Sequence, residues 1–168
     1  MSTFEFADNP TDALLGAFRR HASGVAVITT SDPQGNPVGF TATSMTSLGA
    51  NPPLAMFSVA RGASSWEAIA SATHVAIHTL GVKNLELAQR MAADHTQRFT
   101  KQDWVVGPHG LPIFEASTAV MIGRVRDVLN VEANAVVIVE IIDGRLGEED
   151  DALVYHRRGY ATPTNRLG

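Results

Sequence analysis

A mainly β fold, an antiparallel barrel with two or three peripheral helices, is the fold class that the sequence predicts. About seven segments have the β-branched, apolar character of strands, whereas only two or three show helical spacing. Several strand segments are joined by tight turns rather than by helices. This favours an antiparallel barrel over a doubly wound parallel sheet. The helices are inserted between strands, so the class is α+β with a mainly β content.

The amino-terminal part predicts an arm, a helix and a hairpin. Residues 1–9 would form the arm. The helix "PTDALLGAFRRHASG" follows, with Thr11 or Asp12 as its cap and Gly24 closing it. The strands "GVAVITTS" and "VGFTAT" enclose "DPQGNP", whose Pro, Gly and Asn are typical of a turn. We therefore expect an antiparallel hairpin at this place.

Two more strands alternate with two helices in the middle of the chain. The strand "LAMFSV" is followed by the short helix "SSWEAIASA", which Ser64 or Ser65 would cap. The strand "THVAIHTL" precedes "VKNLELAQRMAAD", where Leu85, Ala88 and Met91 recur at helical spacing. This last segment is the clearest helix of the sequence.

The carboxy-terminal part predicts one long loop and three further strands. Gly and Pro are scattered through "HTQRFTKQDWVVGPHGLPIF", and a loop of that length usually has a binding role. The segments "ASTAVMIGRVRDVLNV" and "ANAVVIVEIIDGRL" are long strands, the second apolar enough to be buried on both faces. A short strand, "ALVYHRRGY", ends the pattern. No internal repeat or linker interrupts the sequence, so we expect one domain over residues 1–168.

Composition and charge exclude several classes of function. The 168 residues are 45% apolar and carry a net charge of −4 from 13 basic and 17 acidic residues. No basic run favours nucleic acid or an anionic membrane, and no apolar run approaches the ~20 residues of a membrane span. The acidic N-terminus does not have the pattern of a secretory signal, and the chain has no cysteine. We therefore expect a soluble, cytoplasmic protein.

Common metal and catalytic motifs do not occur in the sequence. His74 and His78 stand at i and i+4, but on a strand that spacing separates them by ~13 Å, so we expect no shared metal. Neither a G-x-S-x-G nucleophile elbow nor a G-x-G-x-x-G or Walker A motif is present. His95, His109 and His156 fall in or near loops, where contact with a ligand is easier.

One stretch, "GFTATSMTSLGANPPLAMFSV", is unusually dense in small hydroxyl side chains. Hydroxyls beside exposed backbone N–H groups can cradle an anion. Ser64 and Ser65 open a helix, whose N-terminus favours phosphate, and Arg61 and Arg98 could supply compensating charge. The alternative interpretation is that these Ser and Thr residues only cap turns at strand ends.

Several segments together resemble the flavin reductase-like family. In order and approximate spacing they are "FRRHASGVAVITT", the hydroxyl-rich stretch, "SSW", "RF" followed by "W" and "GLP", and "LVYHRRGY". The most specific part is T-A-T-S-x-x-S-L-x-x-x-P-P-L. The resemblance implies an FMN-binding split β-barrel and a homodimer with flavin near the subunit interface. It also implies reduction of FMN or FAD by NADH or NADPH, with the reduced flavin passing to a partner monooxygenase.

The resemblance also assigns cofactor contacts by position. Ser64 and Ser65 would hold the phosphate, Arg98 and Phe99 would lie over or beside the flavin, and Tyr160 would approach the same pocket. The hydroxyl-rich stretch would border the isoalloxazine ring and the ribityl chain. Its bordering residues are Thr41, Ala42, Thr43, Ser44, Met45, Thr46 and Ser47.

Two departures from the family pattern bear on the assignment. Family members often carry Gly-Asp-His before the penultimate long strand, with the His near flavin and nicotinamide, whereas this chain has Glu132-Ala133-Asn134. Asn134 can form hydrogen bonds but cannot carry a proton charge, so we assign no catalytic side chain. Gly49 replaces a family Ser and removes one hydroxyl.

Three functions stay open from the sequence. The first is NAD(P)H-dependent flavin reduction. The second is flavin binding without nicotinamide turnover, as in a sensor, a carrier or an oxidoreductase with another electron donor. The third is a split barrel that binds haem or a pyridoxal-type phosphate. A single phosphate site at Ser64 and Ser65 favours FMN over FAD, whereas NADH and NADPH are not distinguished.

Overall fold

The computed structural model describes residues 4–168. The first three residues of the predicted arm lie outside the described residues, and residues 4–9 form neither helix nor strand. The helices are α1 (Pro10–Arg20), α2 (Trp66–Ser71) and α3 (Leu85–Ala92). The strands are β1 (Ser23–Gly24), β2 (Ala26–Ser31), β3 (Pro37–Ala42), β4 (Thr46–Ala50), β5 (Pro53–Ala60), β6 (His74–Thr79), β7 (Val105–Val106), β8 (Pro112–Ile113), β9 (Ala119–Val131), β10 (Asn134–Leu146), β11 (Val154–His156) and β12 (Gly159–Ala161).

The main sheet has seven strands in the order β3-β2-β6-β9-β10-β5-β4. Every neighbouring pair in it is antiparallel, which confirms the predicted mainly antiparallel β class. The longest ladder joins β9 to β10 through a tight turn, in which Val131 faces Asn134 across Glu132 and Ala133. A small sheet, β1-β11-β12, and the pair β7-β8 complete the strands of the described chain.

The main sheet curls around one apolar core, so the edge strand β3 comes near β5, the strand next to the opposite edge. Phe40 on β3 and Phe57 on β5 meet inside, with ring centroids 6.1 Å apart. Burial alternates along β10, so the expectation that this strand is buried on both faces is wrong. The buried side chains of this core are Ala26, Ile28, Ala42, Ala55, Phe57, Val59, Ile69, Val75, Ile77, Ala135, Val137 and Val139.

The helix ends differ from the sequence prediction at two places. The cap of α1 is Asn9 rather than Thr11 or Asp12, because the Asn9 Oδ1 atom accepts the Asp12 N–H at 2.9 Å. The helix ends at Arg20, and Gly24 belongs to β1 instead of closing the helix. None of the eleven residues of α1 is buried.

A second apolar core lies under α3 and orders the predicted long loop. Phe114 is buried in it, and Phe99 and Trp104 pack against it from within residues 95–114. The Phe99 ring stacks on Phe114 at 5.7 Å and meets Trp104 edge-on at 5.5 Å. The Arg90 guanidinium lies 5.9 Å from the Phe114 centroid. Because aromatic packing replaces regular secondary structure here, the segment is fixed without long strands or helices.

Among residues 4–168, no helix has the length and apolar character required to cross a membrane.

His78 is a buried histidine that links β6 to its surroundings in the neutral form. Its Nδ1–H donates to the Val27 carbonyl oxygen at 3.0 Å, and its Nε2 accepts the Phe114 N–H at 3.1 Å. Burial lowers the pKa of His78 from 6.5 to about 4, although the hydrogen bond to Val27 opposes the change. Protonation would remove the acceptor that Phe114 needs.

We expect the free energy of unfolding to fall as pH is lowered from about 6.5 to about 4. Over that interval the unfolded chain binds a proton at His78 that the folded chain does not, so stability rises with pH. A shift of about 2.5 pKa units corresponds to about 3 kcal/mol. Urea unfolding at a series of pH values measures it. The exposed-histidine variant His95→Gln should keep this dependence and His78→Gln should reduce it; equal dependence in both would contradict the assignment.

Candidate functional site

A cavity of about 320 Å³ opens between the ends of β3 and β5, beside the start of α2. It brings together parts of the chain that are distant in sequence, including the hydroxyl-rich stretch, Ser65 and Arg98. The lining residues are Phe40, Thr41, Ala42, Thr43, Ser44, Ser58, Val59, Ala60, Ala63, Ser65 and Arg98. We refer to it as the β3–β5 cavity.

The β3–β5 cavity exists because β3 and β5 approach without pairing. In the sheet order of the described chain each has other neighbours, and Phe40 contacts Phe57 only through side chains. Beyond β3, one serine bridges the gap. The Ser58 N–H donates to the Ser44 Oγ at 2.9 Å, and the Ser44 hydroxyl donates to the Ser58 carbonyl oxygen at 3.3 Å. The Ser44–Ser58 hydrogen bonds therefore close one side of the gap between β3 and β5, and the β3–β5 cavity is the side that stays open.

Ser65 carries a buried hydroxyl with no partner in the part of the chain that the structure describes. The residue is 1% exposed, and its Oγ forms no hydrogen bond there. Ser65 precedes α2 but its side chain does not cap the helix. A buried unsatisfied polar group costs about 1–3 kcal/mol. A ligand atom in the cavity that accepts a hydrogen bond from this hydroxyl would remove the cost.

Arg98 supplies positive charge to the cavity and is held by backbone oxygens. Its Nε and Nη2 donate to the Ala93 carbonyl at 3.1 and 2.8 Å, and its Nη1 donates to the Gly39 carbonyl at 2.9 Å. Burial lowers the pKa of Arg98, and the nearby Asp94 carboxylate opposes the shift. Arginine still stays protonated at neutral pH. The guanidinium is thus a fixed cation at the wall.

Gly39 lets β3 pack closely against β2 and α3 at the position whose carbonyl holds Arg98. A Cβ atom at this position would come within 2.8 Å of both the Ile28 carbonyl oxygen and the Met91 Cε. On the same strand, the Thr41 hydroxyl donates to the Ala88 carbonyl oxygen at 2.6 Å. The hydroxyl proton of Thr41 is therefore used to attach β3 to α3 rather than to contact a ligand.

A smaller cavity of about 80 Å³ adjoins the same arginine. Ser64, His95, Arg98 and Phe99 line it, together with residues 37–39. Arg98 lines both cavities, whereas Ser64 and Ser65 face different ones. Arg98 thus adjoins both the cavity lined by Ser64 and the cavity lined by Ser65.

Four predicted contacts lie outside both cavities in this chain. Met45 packs against the first core, and Thr46 and Ser47 are exposed on the edge strand β4. Tyr160 lies on β12 and packs against the second core, with its ring 5.4 Å from Tyr155. Burial, followed by the neighbouring Tyr155, raises the pKa of Tyr160. Part of the hydroxyl-rich stretch therefore forms the edge strand β4, for which no strand was predicted from the sequence.

Asn134 stands close to the rim of the β3–β5 cavity. It is the cross-strand partner of Ala60, which lines the cavity. Arg61 holds the preceding turn, because its N–H donates to the Ala133 carbonyl at 2.8 Å and its Nη1 to the Glu132 carbonyl at 3.0 Å. The substituted family motif is thus fixed beside the cavity although it lies far along the chain.

Sequence reasoning missed the contribution of β5 to the cavity. Ser58 interrupts the apolar run of this strand and is half-buried between two buried neighbours, Phe57 and Val59. A polar residue on the outer face of an otherwise apolar strand is a signal that could have identified it. Phe40, Val59, Ala60 and Ala63 carry no comparable signal.

His74 and His78, four residues apart in sequence, lie in different surroundings. The His74 ring stacks on His109 with centroids 3.8 Å apart, while His78 is buried. Burial, His109 and Arg124 all lower the pKa of His74. Over residues 4–168, no three His, Asp or Glu side chains are grouped so that they could hold a metal ion.

A barrel that opens between two strands around a fixed guanidinium and an unsatisfied buried hydroxyl defines a protein able to hold an anionic ligand. The model of the flavin reductase like domain matches residues 18–164. The chain therefore belongs to the flavin reductase like domain family.

Two curated relatives and one solved structure share most of the chain. The NADH:FMN oxidoreductase of Rhodococcus qingshengii is 37% identical over 153 residues, covering 88% of this chain and 79% of the relative. The stachydrine N-demethylase reductase subunit Stc3 of Rhizobium meliloti is 35% identical over 152 residues, covering 90% of this chain and 66% of the relative. The crystal structure of a flavin reductase domain protein from Arthrobacter sp. FB24 superimposes with a TM-score of 0.89 at 43% identity, covering 94% and 98% of the two chains. The predicted split barrel is confirmed.

Proposed function

We propose that this protein is a flavin reductase that uses NADH to reduce FMN bound in the β3–β5 cavity. The observation that carries the proposal is the buried Ser65 hydroxyl, which has no partner in the described chain and lines the same cavity as the Arg98 guanidinium. The name of the Rhodococcus relative, an NADH:FMN oxidoreductase, supports both cofactors. Ser65 and Arg98 form one subsite for a phosphate. FMN carries one phosphate and FAD two, so this cavity fits FMN better.

The phosphate is the part of FMN that Ser65 and Arg98 are suited to bind. Charge-assisted hydrogen bonds from a guanidinium and a hydroxyl to phosphate oxygens are strong and directional. Arg98 is already held by the Gly39 and Ala93 carbonyls, so little ordering remains to be done on binding. Ser64 and Phe99 would border the ligand from the adjoining small cavity.

The remaining walls would hold the ribityl chain and the ring. Thr43 offers a hydroxyl and Ser44, held by Ser58, lines the wall beside it. Phe40, Ala42 and Val59 offer apolar surface. The bound flavin would supply the acceptor for a hydride from the nicotinamide. The side chains named here would bind, orient and exclude water, because hydride transfer requires no nucleophile from the protein.

Met45, Thr46, Ser47 and Tyr160 remain proposed contacts. They lie outside the cavity of the single chain, and Thr46 and Ser47 are exposed on the edge strand β4. We propose a homodimer in which such surfaces complete the site. Exposed apolar side chains of α1 support this, since Leu14 and Phe18 are 57% and 64% exposed. Sedimentation velocity showing only monomer would contradict the dimer.

A monooxygenase is the proposed partner, in the cytoplasm. The Rhizobium relative is named as the reductase subunit of an N-demethylase, and a further relative from Acinetobacter baylyi, 28% identical, is named as the reductase component of a flavin-dependent monooxygenase. Reduced FMN leaving the cavity would be the link between the two proteins. A second candidate function, flavin binding without nicotinamide turnover, is favoured only by Asn134 in place of the family His at the rim.

We expect Ser65→Ala to weaken FMN binding about tenfold without lowering the stability of the free protein. The variant removes a hydrogen bond to the phosphate and also removes an unsatisfied buried hydroxyl. Fluorescence titration of FMN and thermal unfolding measure the two effects. Ser117→Ala is the matched control, because Ser117 is also buried but donates to the Phe114 carbonyl at 2.7 Å. It should lose about 1 kcal/mol of stability and keep its FMN affinity; unchanged FMN affinity in Ser65→Ala would refute the phosphate site.

We expect the purified protein to oxidise NADH when FMN is supplied, measured by the loss of NADH absorbance. Asn134→His should raise that turnover about tenfold, because an imidazole beside the cavity can carry a proton charge. Asn130→His, on β9 of the same hairpin, is the control and should leave the rate unchanged. Tight FMN binding with no NADH oxidation would replace the reductase by the second candidate function.

A further inference from the structure

A second, larger cavity lies on another part of the surface, between α1 and the β11–β12 hairpin. Its volume is about 650 Å³. Four arginines line it, Arg19 and Arg20 from the end of α1 and Arg157 and Arg158 from the hairpin turn. It shares no lining residue with the β3–β5 cavity. We refer to it as the arginine cavity.

The fold concentrates positive charge in the arginine cavity although the whole chain is acidic. The net charge is −4, with 13 basic residues in total. In the described chain, none of the four arginines forms an ion pair with a carboxylate. Asp12 also lines the cavity, but its carboxylate accepts the Asn9 side-chain N–H at 2.7 Å. Four like charges against one carboxylate raise the free energy of the folded state, and a bound anion reverses that effect.

The hairpin turn is built from residues that are unfavourable for its backbone shape. His156 pairs with Gly159, so Arg157 and Arg158 form a two-residue turn. Both have positive φ, 52° and 62°. Such turns favour Asn-Gly, because a β-branched or long side chain in the left-handed region costs about 1–2 kcal/mol per residue. Two arginines at these positions therefore reduce local stability, which is typical of a functional site.

Contacts across the cavity fix the two pairs of arginines relative to each other. The Arg157 N–H donates to the Arg19 carbonyl oxygen at 3.1 Å, which attaches the turn to the end of α1. The Arg20 Nη1 donates to the Gly16 carbonyl oxygen at 2.7 Å. Gly16 itself lines the cavity and presents no side chain to it. The four arginines thus line one space from two elements that are bonded to each other.

We propose that the arginine cavity binds a phosphate-bearing small molecule of nucleotide size. Guanidinium groups match phosphate oxygens in geometry and charge. A volume of about 650 Å³ lies within the range of about 300–1,000 Å³ typical of small-molecule sites. A long nucleic acid does not fit this interpretation, because the remainder of the chain carries a net negative charge. The proposal goes beyond flavin reduction and is independent of the β3–β5 cavity.

Calorimetric titration of the FMN-saturated protein with inorganic pyrophosphate and with ADP tests the proposal. The wild type should bind both, more weakly as salt is added. Tighter binding of ADP would identify a nucleotide as the occupant, and equal binding would identify the phosphate groups alone. The double variant Arg157→Asn/Arg158→Gly should weaken binding of both probes by about tenfold or more, while its melting temperature is unchanged or higher because the new turn suits the backbone.

The control is Arg145→Gln, which removes an arginine that lies near Glu115 elsewhere on the surface and should leave the binding of pyrophosphate unchanged. FMN affinity should also be unchanged in the double variant. No binding of pyrophosphate to the wild type would overturn the proposal, as would equal binding to the double variant. Binding of poly-glutamate but not pyrophosphate would overturn it as well, and would make this surface a docking site for an acidic protein segment.

Discussion

The contact between Phe40 and Phe57 determines where the β3–β5 cavity opens. The seven-stranded sheet must curl until the two rings meet, because both belong to the same apolar core. The strands that carry them are held together there by side-chain packing rather than by a backbone ladder. An unpaired strand end leaves space and free polar groups, and that space is the cavity in which we place the flavin. Without the packed core, the opening would have no fixed shape.

The charge in that opening depends on a different part of the molecule. Arg98 belongs to a segment with little regular structure, and its position follows from its neighbour Phe99, which is stacked in the second core on Phe114. The same core holds α3, to which β3 is attached through Thr41. The position of Arg98 in the cavity therefore depends on two hydrophobic cores. The core around Phe57 shapes the cavity, and the core around Phe114 positions the guanidinium at its wall. A substitution that alters the packing of either core would change the shape of the cavity or the position of Arg98.

Much of the fold could be predicted from local pattern, since runs of β-branched residues and turn residues identify strands without reference to the rest of the chain. The cap of α1 was missed because Asn9 competes with two equally good caps nearby. The prediction that β10 is buried on both faces was wrong, because its apolar composition does not reveal that no layer of the described chain covers one face of the strand. Thr41 to Ser44 are contiguous, were predicted together, and line the same cavity. Ser58 was missed, because which strands adjoin depends on how the sheet curls, and the missing partner of Ser65 is a property of the whole fold.

Gly39 has a consequence for how the site can change over time. The arginine rests against a carbonyl at a position that admits no side chain, since a Cβ there would collide with the backbone of the next strand and with Met91. Substitution of Gly39 therefore cannot be used to adjust how Arg98 is held beside the proposed phosphate position. Natural drift or laboratory evolution that tunes the affinity would have to act through residues 93–99 on the other side of the guanidinium. Gly39 cannot be replaced without a clash, whereas residues 93–99 can change and so adjust the position of Arg98.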